Sequence, residues 1–293
     1  MGTIGEAPFT RADALAAGVS PATIRRRLQD GDWTTLRRGV YVPRAVLAAA
    51  DTPERRHTLD AAAVLLTLRH HDALVAGTSA ARILGLDTLA PPPDDVVIAT
   101  SDPAKGQRRR GYVLRYADVP PHHRTTKHGV ALTSAARTVI DLARSLTLRE
   151  GVVLADSALR QQLATLPELH TLARDCYTTP GICGAYRAIE HADPKSESVL
   201  ESLSRVAMRE QGLPEPRTQV VICDAYGPIA RADFFWERFG VVGEADGIGK
   251  YAPDGRRTTA ESSARRNVAR NESSTPGTRS CDGAGGTRTV LRC

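Results

Sequence analysis

The amino-acid sequence predicts an α+β protein of several domains. Three observations support this class. Two short helices near the N-terminus precede a strand pair, the middle of the chain alternates helical stretches with short strands, and the last third carries a helix followed by antiparallel strands. The chain has 293 residues, of which 41% are hydrophobic and 25% charged. This composition is that of an ordinary globular protein, and the length favours two or three domains.

The first segment has the signals of a winged helix-turn-helix. Thr10 is a helix N-cap, and Ser20–Pro21 supplies an N-cap followed by an N1 proline for a second helix. Gly18 and Gly31 follow the two helices as stop signals. Residues 33–42 then have the pattern of a compact hairpin, which we expect to be the wing.

The second of these helices is the predicted DNA-contacting element. Ile24 and Leu28 are four residues apart and can face the core together, which leaves the other faces free. In this geometry the second helix enters the major groove, where arginines meet phosphates or guanine edges. The alternative is a charge run that is only solvated surface. The candidate DNA-binding residues are Thr23, Arg25, Arg26, Arg27, Arg37 and Arg38.

The middle of the chain is predicted to be a mixed α/β domain. We expect helices over residues 57–68 and 79–84 and a strand over 95–99. Residues 105–111 are predicted to join that strand to a second one over 112–116, so that the two strands form a hairpin. The tip of that hairpin is rich in arginine. It either touches a phosphate backbone or forms a solvated loop.

The last third is predicted to place two carboxylates side by side. If residues 237–240 form the loop of a hairpin, Asp233 faces Glu244 and Arg231 faces Asp246. Like charges about 5 Å apart destabilise a sheet, so something should compensate them. A divalent cation bound by Asp233 and Glu244 would do so. Protonation of one carboxylate, or a solvated edge with a shifted register, are the alternatives.

Charge and composition bear on partners and location. The net charge of +6 and the pI of about 9.3 come largely from arginine, which suits phosphate contacts better than lysine and favours nucleic acid as a partner. The chain shows no signal peptide, and its longest apolar run is too short to span a bilayer. The five cysteines form no CxxC pair. We expect a cytoplasmic protein with reduced thiols.

Several motifs resemble a known actinobacterial family. They are GVSPATIRRRL, GDW and RRGVYV near the N-terminus, LTSAARTVIDLA in the middle, and SESVLESLSR, GLPEPRTQV, RADFFW and GEADGIGKY in the last third. The resemblance covers residues from about 9 to 251 and is specific as a set. In that family an AbiEi-type antitoxin or transcriptional-regulator domain is joined to a very-short-patch-repair-endonuclease-like domain. The resemblance implies a DNA-binding regulator with a cognate toxin as a partner.

The same resemblance implies a PD-(D/E)xK nuclease-like core that binds Mg²⁺. Its acids fall on Glu201, Asp233 and Glu244. The lysine position of that superfamily holds Asp246 here, and Lys250 is the candidate substitute. Glu201 lies about 160° around the helical wheel from the apolar stripe, so it is either a ligand or a solvated glutamate. We therefore take a Mg²⁺-dependent endonuclease as the alternative function.

The segment after Tyr251 has a different character from the rest. Its 42 residues contain no aromatic residue and too few large aliphatic residues for a strand and a packed helix. Back-translation from Arg266, starting one nucleotide earlier, permits ERREERELDAGHEVVRW, which restores the charged helix, glycine turn and strand of the resembling family. We hypothesise a frameshift between about Tyr251 and Arg266. The nuclease-like core would then be truncated and inactive, with an unpaired edge on its third strand.

The chain therefore divides into four predicted segments. They are a winged helix-turn-helix domain over residues 1–50, a middle domain over 51–192, a nuclease-like core over 193–251 and a disordered tail over 252–293.

Overall fold

The computed structural model describes residues 5–68, 70, 72–102, 106–224, 226–245, 279–280 and 289–292. The chain divides into two compact units, Met1–Ala192 and Asp193–Cys293. Helices and several sheets occur in it, in agreement with the predicted α+β class.

The first unit begins with two short helices and a three-stranded sheet. In chain order the elements are β1 (Phe9–Thr10), α1 (Arg11–Ala16), α2 (Pro21–Gln29), β2 (Trp33–Arg37), β3 (Val40–Pro43) and α3 (Arg44–Ala49). The sheet order is β1-β3-β2, with β3 antiparallel to both neighbours. Strands β2 and β3 are the predicted wing, so this region is consistent with a winged helix-turn-helix.

Side-chain caps set where these helices begin. Thr10 Oγ1 accepts a hydrogen bond from the Asp13 amide at 3.1 Å, and the Asp13 carboxylate accepts one from the Thr10 amide at 2.8 Å. Ser20 Oγ accepts from the Thr23 amide at 3.1 Å, with Pro21 at the first helical position. Each cap satisfies an amide that has no partner inside the helix, a contribution of about 1 kcal/mol.

An aromatic cluster joins the helices to the wing. Phe9, Ala14, Ile24, Trp33 and Tyr41 are buried together. The rings of Phe9 and Trp33 meet edge to face, with centroids 4.7 Å apart. Such a pair adds about 0.5–1.5 kcal/mol beyond the area it buries. The orientation of α2 relative to the wing is therefore fixed by this cluster.

A six-stranded mixed sheet lies at the centre of the middle domain. Its strands are β4 (Leu74–Val75), β5 (Val96–Thr100), β6 (Gln107–Arg109), β7 (Tyr112–Tyr116), β8 (Arg124–Lys127) and β9 (Val130–Thr133). The order is β6-β7-β5-β4-β9-β8. Strand β5 is buried at every position and pairs with β7 in parallel, so the expected hairpin between these two strands is wrong. Residues 107–109 form the extra strand β6 instead, and the basic hairpin β6–β7 lies at one edge of the sheet.

Six helices accompany this sheet in the described part of the domain. They are α4 (Pro53–Leu68), α5 (Gly77–Leu84), α6 (Ala135–Ala143), α7 (Leu148–Arg160), α8 (Leu166–Asp175) and α9 (Ile182–Glu190). Buried alanine, valine and leucine side chains dominate α6 and α7. A buried arginine ties α6 together, since Arg137 Nε lies 2.7 Å from the Asp141 carboxylate one turn later.

The buried imidazole of His57 links folding to pH. His57 is 3% exposed, and its Nε2 lies 2.8 Å from Ser79 Oγ. Burial, with a smaller contribution from the charge of Arg82, lowers the pKa of His57 from 6.5 to about 4. Below pH 6.5 the unfolded chain takes up a proton that the folded chain does not. The free energy of unfolding should therefore fall between pH 6.5 and pH 4, by roughly 3 kcal/mol at most.

Urea unfolding at pH 7 and at pH 4.5 tests this linkage. The His57→Gln variant, which cannot take up the proton, should show much less pH dependence than the parent. The same pH dependence in the variant and the parent would show that His57 is not its source.

The second unit is a helix with an antiparallel sheet. Its elements are α10 (Val199–Glu210), β10 (Arg217–Asp224), β11 (Gly227–Trp236), β12 (Val241–Glu244), β13 (Arg279–Ser280) and β14 (Thr289–Arg292). The order is β13-β10-β11-β12-β14, in which β14 is parallel to β12. The helix and the sheet share a cluster in which Met208 packs against Phe234 and Trp236.

The β11–β12 hairpin has the predicted register. Trp236 faces Val241, and Phe235 faces Val242. Residues 237–239 form a 3-10 turn, and Gly240 follows with a φ of 60°, a left-handed conformation that glycine adopts readily. Alternation from this register directs Asp233 and Glu244 to the same face of the sheet.

Two expectations about the tail are wrong where the structure describes it. Residues 279–280 and 289–292 lie in strands instead of disorder, and β14 covers the edge of β12 that we expected to be unpaired. Parallel pairing satisfies backbone groups irrespective of side-chain polarity, which hydrophobic patterning alone cannot reveal. The rest of the tail lies outside the described residues.

The thiols of the chain are not all reduced. Cys223 is disulfide-bonded, which corrects the expectation of reduced thiols throughout. Cys176 and Cys183 are free.

The length and polarity of the helices decide whether any of them could span a membrane. Among the described residues, none of the helices is both long and apolar enough to cross a bilayer.

Candidate functional site: a basic surface and a carboxylate cluster

Helix α2 presents its arginines to solvent. Ile24 is 3% exposed and packs in the aromatic cluster, with Leu28 against it. Arg25, Arg26 and Arg27 are all exposed. One face of α2 carries Ile24 and Leu28 towards the core, and the three guanidinium groups lie on its other faces, as the sequence pattern predicts.

Two of the candidate DNA-binding side chains on α2 also have structural contacts. The Arg27 guanidinium lies over the Trp33 ring, 5.3 Å from its centroid. A cation–π contact at an exposed site stabilises by about 0.5–1 kcal/mol. Thr23 Oγ1 lies 3.0 Å from Ser20 Oγ at the helix N-cap. Arg25 and Arg26 make no comparable contact within the described chain, so they are the stronger candidates for binding a ligand.

The two wing arginines differ in their surroundings. The Arg37 guanidinium lies over the Tyr112 ring, 4.9 Å from its centroid, and donates to the Arg110 carbonyl at 3.0 Å. Arg38 is exposed at the wing turn. The sequence pattern did not predict the Arg37 contacts, because their partners lie more than 70 positions further along the chain.

In the second unit, Glu201 is buried instead of solvated. It is 6% exposed and lies in the first turn of α10. Its carboxylate accepts hydrogen bonds from the Glu197 amide at 3.0 Å and from Ser198 Oγ at 2.9 Å. Of the two alternatives that the helical wheel left open, the solvated glutamate is wrong. The N-terminal turn bends back over this carboxylate, which a straight helical wheel does not represent.

Gln219, which lies in the motif GLPEPRTQV but was not predicted as a site residue, joins two of the predicted acids. Gln219 Nε2 donates to Glu201 Oε2 at 2.8 Å and to Asp233 Oδ1 at 3.2 Å. Gln219 has a φ of 51°, and its buried Oε1 has no hydrogen-bond partner in the described structure. A left-handed glutamine is uncommon and destabilises the backbone by about 1 kcal/mol or more. The motif that contains Gln219 does not indicate these contacts, because they join a strand to a helix and to a second strand.

The other predicted acids are placed only in part. Asp233 Oδ2 accepts from the Ala245 amide at 2.8 Å. The β11–β12 ladder ends at the pair of Phe234 and Gly243, one position before Asp233 and Glu244 would face each other. Arg231, expected opposite Asp246, forms an ion pair with Glu197 at 2.6 Å. Asp246 and Lys250 lie outside the described residues.

The donor set of this carboxylate cluster suits a hard cation only modestly. Within the described ranges, three or more His, Cys, Asp or Glu side chains do not converge on a common position. Mg²⁺ is commonly held by one or two carboxylates plus water molecules, so Glu201 and Asp233 could serve. The buried Gln219 Oε1, which has no hydrogen-bond partner in the described structure, is a third oxygen atom beside them that could bind the cation.

Comparisons with known proteins give one family match in the N-terminal region and several longer alignments. Residues 8–44, which span β1 to β3, match the family model described as a transcriptional regulator, AbiEi antitoxin. The chain is also 27% identical over 222 residues to the uncharacterized proteins MT2308 and Rv2248 of Mycobacterium tuberculosis, strains CDC 1551 and H37Rv. The alignment covers 76% of this chain and 76% of each relative. The crystal structure of the Rv2827c protein from Mycobacterium tuberculosis aligns with 73% of this chain and 78% of its own, at 15% identity and a TM-score of 0.40.

Proposed function

We propose that the protein is a DNA-binding transcriptional regulator of the antitoxin type. The observation that carries this proposal is α2, which exposes Arg25, Arg26 and Arg27 while its opposite face is locked against the wing. This region is also the part of the chain that matches the antitoxin regulator family model. An α-helix with its side chains is about 10–12 Å across, so α2 fits into the major groove, which is about 12 Å wide.

The residues have separate roles in this proposal. Arg25 and Arg26 reach guanine edges or phosphates in the groove, because their guanidinium groups can donate two hydrogen bonds at once. Arg27 combines a phosphate contact with its stacking on Trp33. Arg38 lies at the wing turn and contacts the backbone beside the groove. Measuring the affinity of the full chain for duplex DNA as salt is varied tests the proposal, since phosphate contacts make binding salt-dependent.

A cognate toxin is the second partner in this proposal. Its support is the antitoxin family model at residues 8–44. In this proposal the middle domain binds the toxin while the N-terminal region is on DNA.

Mg²⁺-dependent DNA cleavage is a second candidate function. The Glu201–Gln219–Asp233 cluster favours it, because two carboxylates share a single amide donor. Glu201 and Asp233, with Glu244 at the end of β12, would hold the cation. A bound cation would polarise a phosphoryl oxygen and lower the pKa of a water molecule. We expect slow or absent cleavage, because Asp246 replaces the lysine that would stabilise the developing charge.

Neutralising Asp233 tests the second candidate. Metal-dependent nicking of plasmid or mismatched duplex by the full chain, reduced at least tenfold in Asp233→Asn, is the result this function requires. Mg²⁺ should also raise the melting temperature of the parent and not that of the variant, which is a readout independent of turnover. Asp224→Asn, at an exposed position on the neighbouring strand β10, is the matched control. No metal-dependent cleavage by the parent would exclude this function and leave the regulator.

The frameshift hypothesis stays a prediction, since most of the tail lies outside the described residues. The nucleotide sequence across codons 245–293, compared with relatives, decides it. An unbroken reading frame in relatives with no insertion or deletion nearby would remove the hypothesis.

A further inference from the structure

The basic hairpin of the middle domain touches the wing. Arg37 at the end of β2 stacks on Tyr112 of β7 and donates to the Arg110 carbonyl in the β6–β7 turn. Gly111 completes that turn with a φ of 80°, and a Cβ added there would lie 3.4 Å from Arg37 Nη1. The hairpin tip and the wing tip therefore form one continuous surface within the first unit.

This surface carries more positive charge than its acids compensate. Arg108, Arg109 and Arg110 are consecutive and exposed. Arg108 is paired with the Asp95 carboxylate at 2.6 Å. For Arg109 and Arg110, as for Arg38 on the wing, the described part of the chain provides no ion-pair partner. Like charges held side by side repel one another, so an anion bound across them would be stabilised.

The charge of this surface and its position beside the wing favour a DNA backbone as its ligand. Guanidinium groups bind phosphate oxygens in a bidentate manner, and several exposed arginines at one hairpin tip match successive backbone phosphates better than they match one small anion. The surface is continuous with the wing, whose exposed Arg38 has a backbone contact in the proposed function. The sugar-phosphate backbone that flanks the groove occupied by α2 would therefore run past the hairpin.

We propose that the β6–β7 hairpin is a second contact with the same duplex, in which Arg109 and Arg110 bind backbone phosphates next to the wing. This inference rests on the proposed function and deepens it. Arg37 is a positioning residue in this arrangement, because it holds the hairpin tip against the wing. Contacts of this kind carry no sequence information, so the hairpin adds affinity equally on every duplex.

The test compares three double variants of the full chain by fluorescence anisotropy on labelled duplex DNA. Arg109→Ala with Arg110→Ala removes the proposed contacts. Arg25→Ala with Arg26→Ala removes the α2 contacts. Arg174→Ala with Arg187→Ala removes the same charge from exposed positions on α8 and α9 and serves as the control.

We expect the slope of log K against log salt to be shallower in the hairpin variant than in the control, by about 2. The decrease in affinity between 50 and 200 mM salt should then shrink by about tenfold relative to the control, to the same extent on duplexes of different sequence. A slope equal to that of the control overturns the hairpin contact. If the α2 variant is impaired in that case, the regulator function stands; if the parent itself does not bind duplex DNA, the proposed function fails as well.

Discussion

Replacing Arg25 and Arg26 with alanine is expected to weaken DNA binding by at least tenfold and to flatten its salt dependence. Each good bidentate hydrogen-bond pair to a guanine is worth about 1–3 kcal/mol, and removing a side chain that binds one phosphate reduces the salt slope by about 1. Both side chains are exposed, so the free energy of unfolding should stay within about 0.5 kcal/mol of the parent value. Arg27 is kept, because its contact with Trp33 contributes to folding.

The control for this variant must remove the same charge elsewhere. The pI of about 9.3 alone would cause some attraction to DNA, and removing any two arginines would weaken it. The Arg174→Ala and Arg187→Ala pair measures that general effect. Equal affinities for the α2 variant and this control would show that α2 is not the recognition helix.

Replacing Trp33 with alanine should strongly destabilise the N-terminal region. Trp33 is 5% exposed, meets Phe9 edge to face and stacks on Tyr41 with ring centroids 6.3 Å apart. Truncating a buried tryptophan to alanine costs about 3–5 kcal/mol, a large part of the roughly 5–15 kcal/mol that stabilises a typical domain. DNA binding should fall with it, because the surface that orients α2 is removed.

Denaturant unfolding measures this effect, and two variants bracket it. Trp33→Phe keeps an aromatic ring in the cluster and should be more stable than Trp33→Ala. Tyr177→Ala truncates an aromatic side chain that is 72% exposed and should change stability little. A Trp33→Ala protein within about 1 kcal/mol of the parent would mean that the aromatic cluster does not hold the wing to the helices.

Local chemistry explains why the N-terminal region could be predicted from sequence. Thr10, Ser20 and Pro21 act within one turn of their own position, so their pattern fixes the start of each helix without knowledge of the fold. The spacing of Ile24 and Leu28 likewise fixes which face of α2 is buried. The register of the β11–β12 hairpin followed from its loop length, which is also a local property.

The features that sequence patterns did not reveal all depend on contacts between distant segments. Arg37 finds Tyr112 only once the wing and the middle domain are folded. Gln219 bridges Glu201 and Asp233 because a helix packs beside a sheet, and its unusual backbone angle has no counterpart in its residue type. Strand β14 pairs with β12 although it belongs to a segment with few large apolar residues, because backbone groups make the pairing.

The salt dependence of duplex binding decides whether the chain is a DNA-binding protein that uses α2. The unaltered chain and the Arg25→Ala and Arg26→Ala variant are measured side by side. We expect log K of the unaltered chain to fall with log salt at a slope of about −4 or steeper, from at least four phosphate contacts. The slope of the variant should be smaller in magnitude by about 2. The absence of duplex binding at about 50 mM salt, or identical slopes for the two proteins, would contradict this function.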